Sequence, residues 1–254
     1  MNPTVALAGI EADADGTYPV AGRAVGIPVQ VRSARMASAS FLVPADAAQR
    51  IVDPTGLEVA RQRGGKAVVA LALVKYVDCD LDDYDELALS FVVEPPAGEP
   101  PLAKGAVATY IHRLPVSQAF TCEAGRGIWG FPKWVADLRV TIQGDTAAAT
   151  LRNDDGTPVV EVGIRRGRIP LPARPLEMVC YSHGDDGRLR RTAWTTHSSG
   201  TRLLLGRGAT VAVGSGHPLA DELRALGFPR RRPLMTMVTT AMRATFEAPV
   251  LLDR

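Results

Sequence analysis

Cysteine is scarce in this 254-residue chain. Cys79, Cys122 and Cys180 are odd in number, widely spaced and outside any CxxC pair, so no disulfide framework is expected and a reducing cytoplasm suits them. Histidine is nearly as rare. His112, His183, His197 and His217 never fall at HxH or HxxxH spacing, and no metal is expected. Long apolar runs are missing too. The longest, Ala67–Val74, is far short of the ~20 residues that span a bilayer, and Met1–Thr17 lacks the basic-then-apolar order of a secretory leader. The formal net charge is only +2, with basic and acidic residues interleaved, which argues against nucleic acid or membrane as a partner. Repeats, low-complexity blocks and Gly-x-Ser-x-Gly are absent. Gly125–Gly130 spells GxGxxG by letter, but in a β-rich context with no helix expected after it a dinucleotide fingerprint fails. No cofactor is expected.

The chain is 46% hydrophobic, enough for a sizeable core in one large domain or two small ones. Most of it reads as strand. Pro28–Val43 is a strand pair or one bent strand, followed by a short helix over Pro44–Val52. Lys66–Val77, Glu86–Val93 and Gly105–Leu114 are further strands, the last two separated by a proline-rich connection. The acidic run between the first two lacks the glycine and ligand spacing of a calcium loop. A meander of Asp137–Ile142, Thr146–Leu151 and Val159–Arg165 turns at Gly144-Asp145 and Asn153–Gly156. Pro175–Ser182, Leu189–Thr196 and Ala209–Val213 follow, then a helix at His217–Leu226 and a closing strand over Pro233–Glu247. Roughly ten strands against two short helices predict antiparallel β-sheets, closed or nearly so.

Lysine is the most informative scarcity. Only Lys66, Lys75, Lys104 and Lys133 occur among 29 basic residues; the rest are arginine, which cannot form imines. Lys133 stands in Gly125-Arg126-Gly127-Ile128-Trp129-Gly130-Phe131-Pro132-Lys133-Trp134-Val135. Desolvation among apolar groups disfavours an ammonium and lowers a lysine pKa from ~10.4 by up to ~3–5 units, which frees a lone pair for attack on a carbonyl. The residues alone leave a second reading open: Gly-Phe-Pro-Lys as a surface turn, its lysine stem laid over apolar neighbours and its head wet. Gln118 likewise suits either a hydrogen bond to a substrate oxygen or the tying of a turn.

Gly-Arg-x-x-x-Gly-Phe-Pro-Lys after an extended apolar segment resembles the signature of the acetoacetate decarboxylase family, most specifically over Gln118–Val135. Tyr84–Leu87, Arg35 and Arg243–Glu247 resemble its weaker stretches. The resemblance implies a single domain over 1–254, a cone-like β-barrel whose interior holds the lysine, and a Schiff base between Lys133 and a small keto acid. Glu86, with Glu123 or Glu247, would manage protons. Arg35 would face the substrate carboxylate, with Gln118, Arg126, Phe131 and Trp129 as further substrate contacts. It also implies assembly into a homo-oligomer. Two positions depart from the pattern: Trp134 stands where a second lysine is usual, and Gly127 where a glutamate is usual. Decarboxylation of a β-keto acid such as acetoacetate is the default expectation. Aldol condensation or dehydration of a 2-keto acid such as pyruvate, and a non-catalytic ligand-binding barrel, are the alternatives.

Overall fold

The computed structural model describes residues 9–103 and 105–252; residues 1–8, Lys104 and residues 253–254 lie outside them. In chain order, β1 (Tyr18–Val20) and β2 (Arg23–Val25) form a hairpin, followed by β3 (Val29–Pro44) and α1 (Ala45–Val52). The short β4 (Glu58–Val59) and β5 (Arg61–Gln62) precede the long β6 (Lys66–Cys79), β7 (Tyr84–Glu94) and β8 (Val107–Val116). Next come α2 (Ala119–Trp129), β9 (Lys133–Val135), and the meander β10 (Asp137–Gln143), β11 (Thr146–Arg152) and β12 (Pro158–Arg165). The last elements are β13 (Ile169–Pro170), β14 (Pro175–His183), β15 (Leu189–Ser199), β16 (Arg202–Leu205), β17 (Ala209–Val213), α3 (Pro218–Ala225) and β18 (Pro233–Leu252).

β3, β6, β7, β8, β14, β15 and β18 pair in that order, and β18 returns to β3, closing a seven-stranded barrel. β10, β11, β12 and β17 make a separate four-stranded sheet. The expected β-rich barrel with few helices is the fold. The expected antiparallel order needs correction, because β8 runs parallel to β14 and to β9. Parallel neighbours need a crossover connection, and α2 supplies it between β8 and β9. That helix is the second correction, since only turn and strand were expected around the lysine.

Alternation gives the barrel wall two apolar faces. On one, Ala37, Ala39 and Phe41 of β3, Leu71 and Leu73 of β6, and Leu87 and Leu89 of β7 join the core with Leu138, Val140 and Ile142 of the second sheet. Asp85 pins this face, accepting from the Val140 N–H at 2.8 Å and from Lys75 Nζ at 2.8 Å. On the other, Ala34, Tyr76, Tyr84, Ala88, Leu114 and Cys180 cluster with Cys122, Ala124, Ile128 and Trp129 of α2 and with Val20 and Val25 of the hairpin. All three cysteines are free and buried. Among the described residues no helix is long and apolar enough to cross a membrane.

α3 is fastened to β8 by Glu222, which accepts from Arg113 Nε at 3.1 Å and faces His112 Nε2 at 3.0 Å. Burial opposes the Glu222 charge, but the adjacent His112 and the hydrogen bonds from Arg113 outweigh it and bring the carboxyl from the ordinary 4.5 to about 2. A carboxyl depressed in the folded state adds stability above its unfolded value and loses it as pH falls through its folded value. Urea midpoints are therefore expected to fall as pH drops from about 4.5 to about 2. Glu222→Gln should flatten that part of the profile; an unchanged slope would refute this account of the α3 contact.

Candidate active site

α2 is built to hold a lysine stem. Gln118 caps it, its side chain accepting from the Thr121 N–H at 2.8 Å and donating to the Leu81 carbonyl at 3.0 Å. Gly130, in the left-handed region at φ 64°, closes it by donating to the Arg126 carbonyl at 3.1 Å. Two glycines within the helix cost about 1 kcal/mol each against alanine, and packing explains both. A Cβ on Gly125 would stand 2.5 Å from Lys133 Cδ and 2.8 Å from Cε; one on Gly127 would stand 2.3 Å from Ile10 Cδ1. The first gap admits the lysine and the second the N-terminal segment, whose Ile10 N–H donates to the Gly127 carbonyl at 2.8 Å.

Lys133, on β9 opposite Leu114 of β8, is only 4% exposed. Its Nζ lies 3.1 Å from Glu86 Oε2 and donates to Thr121 Oγ1 at 3.0 Å, with the Tyr84 ring centroid 4.9 Å away. Tyr84 stacks on Tyr76 at 4.2 Å, and the Tyr76 hydroxyl donates to Glu86 Oε1 at 3.3 Å. Burial first, then the Glu86 charge, push both phenols well above their ordinary 10, so they keep their protons. Burial also raises the thiols of Cys122 and of Cys79, the latter to about 11. That leaves an amine and a carboxylate within reach of each other, enclosed by neutral groups. Such a pair can pass a proton from nitrogen to oxygen, free the amine to attack a carbonyl, and face the resulting cation with an anion.

The acetoacetate decarboxylase (ADC) family model matches residues 17–177, more than half of the chain. The chain belongs to the acetoacetate decarboxylase family. Among curated protein sequences none matches it significantly. Solved structures with a similar fold include an acetoacetate decarboxylase from Legionella pneumophila, 17% identical over 89% of this chain and 87% of that one, with a TM-score of 0.65. The enduracididine biosynthesis enzyme MppR complexed with pyruvate is 18% identical over 89% and 90%, TM-score 0.63. An acetoacetate decarboxylase-like enzyme from Sphingomonas wittichii RW1 is 14% identical over 98% and 100%, TM-score 0.59.

Of the residues that the family signature suggested, the fold brings Lys133 and Glu86 together and distributes the others elsewhere. Glu123 is exposed on α2, and Glu247 is exposed on β18, where its backbone carbonyl accepts from Trp129 Nε1 at 2.9 Å. Arg35 needs correction as the carboxylate anchor. It shares a strand face with Ala37 and Ala39, is exposed, and donates to the Ile142 carbonyl of the second sheet at 3.2 Å, across the wall from Lys133. Arg32 is no substitute, being paired with Asp78 and Asp80. Gln118 serves as the helix cap. Arg126 pairs with Asp185 and reaches the Lys133 carbonyl at 3.5 Å. Trp129 and Phe131 are buried and stacked on each other at 6.0 Å.

The apolar residues beside Lys133 in sequence are not the neighbours of its amine. Trp134 points to the opposite face and stacks on His217 at 5.7 Å, and Val135 is exposed. Two cavities, of about 620 Å³ around Pro95 and Leu251 and of about 330 Å³ around Arg243 and His197, do not touch Lys133. The amine is reached through neither of these two.

Sequence reasoning missed Thr121, Tyr76, Tyr84 and the close approach at Gly125. One signal was available: on a strand, Tyr84 and Glu86 share a face and Asp85 takes the other. Thr121 had none, because the helix that presents it was disguised by its glycines.

Proposed function

We propose that the protein is a Schiff-base-forming lyase acting on a small keto acid, with Lys133 as nucleophile and Glu86 as its proton partner. The observation that carries this reading is the buried Lys133 amine 3.1 Å from the Glu86 carboxylate and 3.0 Å from the Thr121 hydroxyl. Glu86 accepts the ammonium proton, and the amine adds to the ketone carbon. The adduct's nitrogen passes one proton to the former ketone oxygen to give the carbinolamine, Glu86 returns the other, the oxygen leaves as water, and the iminium forms beside the regenerated carboxylate. With a β-keto acid, the electrons of the bond to the carboxylate flow into the iminium, carbon dioxide departs and an enamine remains. Protonation at carbon and hydrolysis then return the ketone and the free amine. Exposed Glu123 and Glu247 have no part in this scheme.

A second reading, aldol or dehydratase chemistry on a 2-keto acid such as pyruvate, draws support from the two departures. Trp134 is stacked on His217, and Gly127 is packed against Ile10, so neither position supplies the usual charged group. Borohydride trapping separates the readings. Acetoacetate is expected to leave a reduced adduct mapping to Lys133 by mass spectrometry, together with carbon dioxide release in the absence of borohydride. Labelling by pyruvate alone would favour the second reading, and no adduct with either would sink both.

A further inference from the structure

β15 carries two polar groups that nothing among the described residues satisfies. Thr192 is fully buried and its Oγ1 has no hydrogen-bond partner; the Nε1–H of Trp194, equally shut off from solvent, has none either. Buried donors without acceptors are rare in folded proteins and call for an explanation. Neither residue falls within the stretch that the family model matches, 17–177.

Both face the lysine's side of the wall. Thr192 stands opposite Cys180, and Trp194 opposite Met178, in the antiparallel β14–β15 pair. Directly opposed residues share a face, and Cys180 packs in the cluster that contains Tyr76, Tyr84, Cys122 and Ala124. An aromatic row joins the indole to the lysine segment: Trp194 stacks on Phe246 at 5.0 Å, Phe246 meets Trp129 at 6.3 Å, and Trp129 stacks on Phe131. The buried cations here are committed, Arg190 to Asp186 at 2.6 Å and Arg126 to Asp185. Arg35 lies across the wall. A carboxylate brought to this side therefore meets neutral donors.

We propose that Thr192 Oγ and Trp194 Nε1 donate the hydrogen bonds that receive the carboxylate of the keto acid whose carbonyl condenses with Lys133. This rests on the Schiff-base reading and adds its specificity element. Neutral donors orient a carboxylate without cancelling its charge. They thus stabilise the ground state less than an arginine would, which suits a group that must depart as carbon dioxide.

Thr192→Val and Trp194→Phe remove the two donors while keeping shape and ring. In the double variant, the acetoacetate or pyruvate concentration giving half-maximal borohydride labelling of Lys133 should rise about 10–100-fold, the range for a lost hydrogen bond to a charged group. The concentration for acetone, which has no carboxylate, should stay put. Equal shifts for acid and ketone, or no shift, would overturn the assignment. Wild-type protein provides a second measurement, independent of imine chemistry and of variant folding. The chain has only three tryptophans, so the Trp194 indole N–H resonance is readily assigned with Trp194→Phe. It should move saturably as keto acid is added, more than that of Trp129, which is already bonded to the Glu247 carbonyl. A stationary Trp194 signal overturns the subsite. Absence of labelling at Lys133 in the wild type instead overturns the lyase reading.

Discussion

Lys133→Met should lower turnover of a keto acid by about 10⁴-fold or more and abolish borohydride labelling, because no other described residue can form the imine at that site. Methionine keeps much of the stem's volume against Gly125 and removes the nitrogen. Stability should fall as well. Lys133 and Glu86 side chains are 4% and 10% exposed, so deleting the amine strands a carboxylate in packed protein. Breaking a buried pair from one side typically costs about 3–5 kcal/mol. The Tyr76 hydroxyl would remain as a donor to Glu86 and soften that loss. Adding Glu86→Gln removes the stranded charge and should recover much of the melting temperature without recovering activity. Stopped-assay turnover and thermal unfolding of the single and double variants read both quantities. A non-catalytic binding barrel would instead keep its ligand affinity in both variants, and that outcome would sink the lyase.

Gly125→Ala is expected to lower activity by far more than it lowers stability. The added Cβ falls 2.5 Å from Lys133 Cδ, 2.8 Å from Cε and 3.3 Å from Cγ, so the lysine stem has to shift. The stem belongs to the nucleophile, and moving it carries the amine away from Glu86 and Thr121. A misplacement of about 1 Å can cost 10²-fold, and a loss of at least that order in turnover is expected. Stability should fall by no more than about 2 kcal/mol. Overpacking by one methyl costs about 1–3 kcal/mol, while alanine in a helix recovers about 1 kcal/mol over glycine. Gly127→Ala is the control: its Cβ meets Ile10 and leaves the lysine untouched. If Gly125→Ala and Gly127→Ala lose activity equally, Gly125 holds no special relation to the amine.

The regular parts of this protein were legible because they depend on local period. The β-branched and apolar residues of Lys66–Val77 and Glu86–Val93 mark strands whatever they pack against, and Asn153–Gly156 turns a hairpin from its own residues. α2 was not legible, since propensity argues against two glycines in a helix and only Lys133 and Ile10 explain them. Arg35 was misplaced for a related reason. Strand alternation limits a side chain to one of two faces, but not to the one holding the lysine.

By itself the sequence determined a β-rich chain, the one lysine set in a family-like stretch, and the absence of an obvious metal or dinucleotide motif. Tertiary structure alone decided what surrounds that amine. Glu86 arrives from β7, Thr121 from α2 and the Tyr76–Tyr84 stack from two adjacent strands, while the apolar neighbours in sequence turn away. Side chains next to one another along a strand point to opposite faces, so a lysine's chemical surroundings are composed by distant segments and cannot be read from the residues beside it.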